Sequence, residues 1–80
     1  MTMTYQPMIA VSWVDGRKSL TEIIGTCETI TQANCASYEI GGCKTYGDFF
    51  DLCNKYNFKV PQKLQSKSQT SKALITPYVI

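Results

Sequence analysis

Residues 8–24 read MIAVSWVDGRKSLTEII, and whether the second half of this stretch is strand or helix decides the fold. In the first half Ile9, Val11 and Trp13 fall on one face of an extended chain and Ala10 and Ser12 on the other, which predicts a strand ending at Asp15-Gly16. Asp-Gly signals a two-residue hairpin turn, and a second strand from Arg17 to Ile24 would then set Val11 against Leu20 and Met8 against Ile23. The competing reading is helical. Ser19-Leu20-Thr21-Glu22 has the form of a capping box, and Leu20, Ile23, Ile24, Cys27 and Ile30 follow a helical stripe. Gly25 and the β-branched residues Thr21, Ile23, Ile24, Thr26, Thr29, Ile30 and Thr31 weigh against it. The helix is the expectation carried forward.

Downstream, the small side chains of Thr31 to Tyr38 suit a brief helix stopped by Gly41-Gly42. The clearest element follows: Thr45 caps a helix from Tyr46 to Asn57 with an apolar face of Tyr46, Phe49, Phe50, Cys53 and Tyr56, and Asp48 in its favourable first turn. Pro61 requires an extended residue before it. Residues 62–72 are almost wholly Gln, Ser, Thr and Lys, too polar to repay their ordering entropy, and read as a mobile connector. Ala73 to Ile80 (ALITPYVI) is β-prone, and Pro77, lacking an amide donor, assigns it to a sheet edge beside the first strand. The expected fold is α+β, a small single domain with an amino-terminal strand, two or three short helices and a carboxy-terminal edge strand. Residues 1–61 form the compact core, 62–72 the basic connector, and 73–80 the strand that completes the domain.

Eighty residues bury only a thin core. The charges are sorted along the chain. Through residue 54, Arg17, Lys18 and Lys44 face six carboxylates for a net −3, whereas Lys55, Lys59, Lys63, Lys67 and Lys72 follow with no carboxylate at all. Such a tail is drawn to phosphates or to an acidic protein face. The opening MTMTYQPMIAVSW has no basic leader and no apolar run of membrane-spanning length, so a cytosolic location is expected.

That expectation leaves Cys27, Cys35, Cys43 and Cys53 reduced and mostly buried; exported, they would form two disulfides. Spacings of eight, eight and ten residues with no histidine speak against zinc, and no cofactor or metal is expected. Without histidine the commonest general base is missing, and no catalytic residue is assigned. Cys43, between Gly42 and Lys44 ahead of a helix, is the one place where a thiolate could gain stabilisation.

The run TEIIGTCETITQANCASYEIGG, residues 21–42, resembles the helix-turn-helix of the phage repressor and Cro class. Ile24, Gly25, Ile30 and Cys35 fall at its apolar and small positions, and Tyr38-Glu39-Ile40-Gly41 matches its ending; Glu28 and Thr29 depart from the pattern. The resemblance implies a DNA-binding regulator in which Thr31, Gln32, Asn34 and Ser37 face the major groove.

The leading expectation is different: a small, non-enzymatic cytosolic protein that modulates or inhibits a larger protein partner, as phage and plasmid accessory proteins do. Its candidate contacts are the aromatics Tyr5, Trp13 and Tyr78 and the lysines Lys63, Lys67 and Lys72. Nucleic acid is the alternative partner, and a disulfide-stabilised exported protein the third reading. No membrane partner and no particular oligomeric state is implied.

Overall fold

A computed structural model describes residues 6–80 of the chain; Tyr5 lies outside the described residues. The fold is α+β, in the order β1 (Met8–Asp15), β2 (Lys18–Thr26), α1 (Ile30–Gly41), α2 (Tyr46–Tyr56), α3 (Gln62–Gln65) and β3 (Ile75–Val79). The strands form one antiparallel sheet in the order β2-β1-β3.

The expected helix after Asp15-Gly16 is therefore a strand. Asp15 pairs with Lys18, so Gly16-Arg17 is the turn, and Gly16 takes φ +66°, the left-handed value a II′ hairpin asks of its first central residue. The Ser19–Glu22 capping box never forms, because those side chains alternate across β2, with Leu20 opposite Trp13 and Glu22 opposite Val11. β-Branched preference and the hairpin turn override the helical stripe. The register is two residues from the one expected at Val11, since Asp15 closes the ladder instead of opening the turn. A two-residue slip keeps every side chain on its face.

A bulge opposite Ile9/Ala10 adds one residue to β2. Ile23 pairs with Ala10 and is 48% exposed, while Ile24 is buried and Gly25 pairs with Ile9. A Cβ on Gly25 would overlap the Phe58 ring, so glycine is what lets the chain leaving α2 lie against the sheet. There the Lys59 amide donates to the Ile24 carbonyl at 2.7 Å, and Phe58 stacks on Tyr56.

β3 is an edge strand, as Pro77 implied. Met8 and Ile80 exchange both backbone hydrogen bonds, at 3.1 and 2.8 Å. The antiparallel alternation then makes Ala10–Tyr78 and Ser12–Thr76 the other bonded pairs and turns the amide position of Pro77 away from β1. The missing donor leaves no ladder bond unmade.

The core lies on one side of the sheet. Ile9, Val11, Trp13 and Ile24 meet Ala33, Ala36 and Ile40 of α1 and Tyr46, Phe49 and Cys53 of α2. The small residues Ala33 and Ala36 let α1 lie close to the strands. α1 is longer than the sequence suggested: Thr29 caps it through the Gln32 amide, and it runs on to Gly41. α2 matches its expected span, with a full Thr45–Asp48 capping box. It ends at Asn57 in the left-handed region, where asparagine is tolerated, and the Phe58 amide returns to the Cys53 carbonyl at 2.7 Å.

The polar stretch 62–72 is not free chain. Leu64 is fully buried from α3, the amides of Tyr46 and Gly47 donate to the carbonyls of Ser71 and Gln69, and the Ala73 amide donates to the Lys44 carbonyl. One apolar anchor and the unsatisfied amino end of α2 hold it, two features that composition averages away.

Phe49 is fully buried and Phe50 half-buried, so Phe49→Ala should destabilise the fold by roughly 3–5 kcal/mol and Phe50→Ala by clearly less; urea melts of both variants read the order. Gly25→Ala should lose about 1–3 kcal/mol by overpacking. Part of that loss should return in the Gly25→Ala/Phe58→Leu double variant, and a double-mutant cycle measures the coupling.

Candidate functional site

Alternation along β1 sends Ile9, Val11 and Trp13 to the helices and leaves Met8, Ala10, Ser12 and Val14 on the opposite face. Their partners on β2 are Thr26, Ile23, Thr21 and Ser19. On β3, Ile80, Tyr78 and Thr76 complete the face. Among the described residues no helix packs on this side.

These eleven side chains include no Asp, Glu, Lys or Arg, in a chain where 18% of residues are charged. Five are apolar and six carry hydroxyls. The central row is Ile23, Ala10, Tyr78: the alanine is fully buried between flanks exposed at 48% and 50%. Such a surface sheds water at low penalty, since no ion is stripped of its hydration, and the Ser, Thr and Tyr hydroxyls can turn to meet either donors or acceptors.

The contacts expected from the sequence are dispersed by the fold. Tyr78 lies on the open face, on the edge strand β3 in the middle row beside Ala10. Trp13 is a correction: it is only 8% exposed and faces the helices beside Leu20. It shares the stripe of Ile9 and Val11, which was the sequence signal for burial. Lys63 pairs with Asp15 at 3.2 Å, while Lys67 and Lys72 are exposed in the segment between α3 and β3. Ile23 and Thr21 were missed because their outward placement exists only if residues 18–26 form a strand.

The helix-turn-helix arrangement is absent, because TEIIG of its first helix lies in β2. Thr31, Gln32 and Asn34 are exposed on α1 and Ser37 is half-buried. The Gln32 side chain accepts from the Glu28 amide at 3.1 Å and so helps cap its own helix.

A second feature lies between α1 and α2, an open depression of about 410 Å³ lined by Asn34, Cys35, Tyr38, Glu39 and Tyr56. The Tyr56 hydroxyl donates to Glu39 Oε2, and Lys55 Nζ lies 3.6 Å from Glu39 Oε1 and 5.4 Å from the Tyr56 ring centre. The hydrogen bond to Glu39, with burial second, pushes the Tyr56 phenol up to about 12. Phenol, carboxylate and ammonium satisfy one another here and tie the two helices together.

All four thiols are free: Cys27 and Cys53 buried, Cys43 half-buried, Cys35 exposed. Burial first, and then Asp48 and Glu39, raise the Cys43 thiol, against the stabilised thiolate its position suggested. Burial, with Cys43 second, pushes Cys53 up to about 12.

No protein-family model, no curated protein and no solved structure matches this chain.

Thiolate is the nucleophile toward alkylating agents, so iodoacetamide on the native protein should modify Cys35 first and Cys53 last, as peptide mass spectrometry would read. The raised Cys53 value favours the protonated thiol in the fold. That contribution is complete below the ordinary thiol value of 9.0 and is lost as pH rises toward about 12. Urea stability should accordingly fall across this alkaline window.

Proposed function

We propose that the chain is a small non-enzymatic binding protein of the cytosol that docks the open face of its sheet onto a larger protein and modulates or inhibits it. The uncharged eleven-residue face carries this reading. Interface cores are depleted in charged residues, because each buried ion must recover its hydration energy from a partner. Tyr78, half exposed in its middle row, supplies a rigid, amphipathic anchor of the kind that dominates binding energy. The edge strand adds selectivity for the face over the rim, since Pro77 interrupts the donor row that an added strand would need. Among the described residues no helix is long and apolar enough to cross a membrane.

Photo-crosslinking in cells tests the reading. A benzoylphenylalanine placed at Thr21 or Tyr78 should yield one discrete heterologous adduct, and the same probe at Lys67 or Asn34 should not. Ile23→Lys should abolish the Thr21 adduct, and Tyr78→Ala should weaken binding by roughly 10- to 100-fold, the loss of an aromatic anchor. Both side chains are half exposed, so circular dichroism should remain that of the parent. Adducts confined to positions off the sheet face would refute the proposal.

A further inference from the structure

The sheet has two edges, and they differ. β3 carries Pro77 on its outward side, whereas β2 offers a continuous backbone row. Because Met8 and Ile80 exchange both bonds, the even residues of β1 bond to β3 and the odd ones to β2, so Val11–Glu22, Trp13–Leu20 and Asp15–Lys18 are the bonded pairs. Ser19 and Thr21 therefore turn their amides and carbonyls outward. Among the described residues one backbone bond meets this edge from outside, the Lys59 amide on the Ile24 carbonyl at 2.7 Å. From Lys18 to Glu22 the outward row has no partner among them.

The side chains along this stretch form a pattern. Lys18, Leu20 and Glu22 pair with Asp15, Trp13 and Val11 and so share the helix side of the sheet. Leu20 is half-buried beside an open cleft of about 310 Å³ that Trp13, Pro61 and Lys63 also line. Lys18 and Glu22 are exposed and, among the described residues, in no ion pair; Asp15, the carboxylate opposite Lys18, is held by Lys63. Charges on an edge usually guard it against added strands. A lysine two residues before a leucine and a glutamate two residues after it complement one strand in particular, their own reversed copy.

We infer that two copies of this chain join β2 to β2, antiparallel, about a two-fold axis at Leu20. Leu20 then meets the second copy's Leu20, and each Lys18 meets the other copy's Glu22, in the non-bonded pairs where side chains approach most closely. Each Ser19 exchanges both backbone bonds with the other copy's Thr21. The register follows from the surroundings. An axis at Thr21 would lay Lys18 of one copy opposite Ile24, whose carbonyl Lys59 already holds. An axis at Glu22 would set that carboxylate on itself, and one at Ser19 would draw the Gly16-Arg17 turn into the ladder. Leu20 is the centre at which the free row is used and both charges are met. The axis is normal to the sheet, so all helices stay on one side and the two uncharged faces become continuous. The pairing does not rest on the sheet-face reading, because it uses the edge and leaves that face open.

So short a ladder makes a small, reversible contact, and the measurement is sedimentation equilibrium of the full chain from about 10 μM to about 1 mM, with the dissociation constant expected in the upper part of that range. Lys18→Glu sets carboxylate against carboxylate and Glu22→Lys sets ammonium against ammonium, so each should weaken the dimer about tenfold or more. Both positions are exposed, and each variant should melt like the parent. Mixed in equal amounts, the two should associate at least as tightly as the parent, because every charge then meets its opposite; the Lys18→Glu/Glu22→Lys double variant should regain the parent constant. Thr21→Pro removes an outward amide without touching a bond to β1 and should leave a folded monomer. Tyr78→Ala, on the far strand, should dimerise like the parent. A parent still monomeric at the top of the range, or single variants that fail to associate on mixing, would overturn the inference. So would a dimer lost in Tyr78→Ala and kept in Thr21→Pro, which would move the contact to the open face.

Discussion

β1 is the middle strand, and the rest of the molecule follows from that constraint. Paired on both sides, it has no free edge, and its two faces meet opposite solvents. The odd-numbered residues Ile9, Val11 and Trp13 collect both helices, while the even-numbered Met8, Ala10, Ser12 and Val14 face away. A sheet with helices on one side only has a second face that must be either polar or partnered. Here it is neither charged nor covered by a helix among the described residues, and that asymmetry is what makes it the candidate surface.

The helical layer shows how a thin core is made sufficient. α1 contributes mainly small residues, so the helix approaches the strands, and α2 supplies the bulk through Tyr46, Phe49 and Cys53. Gly25 gives Phe58 its place, and Leu64 anchors a stretch otherwise made of polar side chains. Each is one residue, and a segment's average composition conceals it. The polar tail is ordered by a few backbone hydrogen bonds to the amino end of α2, a helix terminus whose amides need acceptors in any case.

The cysteines and the Tyr56–Glu39–Lys55 cluster illustrate the difference between chemistry that is present and chemistry that is available. The two buried thiols and Cys43 are raised away from ionisation. The phenol, carboxylate and ammonium consume one another's hydrogen-bonding and charge. Both features read as packing and tethering, and they leave the sheet face as a surface with unspent capacity.

The sequence by itself determined the first strand and its inward stripe, the span and capping of α2, and the edge placement of the last strand. In each case one local rule acts without a competitor: strict alternation, a capping threonine before an apolar face, a proline without a donor. Tertiary structure decided residues 18–26, where a helical stripe and a β-branched run compete at similar energies and pairing with β1 settles the outcome. The outer face could not be read before that, since Ile23 and Thr21 join Ala10, Ser12 and Tyr78 only through cross-strand register. The charge run was visible as a count, but its position was not, because only the fold sets Lys63 against Asp15 and lays residues 69–73 along the amino end of α2. Local sequence sets what one element prefers; which elements share a face is fixed by contacts between residues far apart in the chain, and no window of sequence contains those.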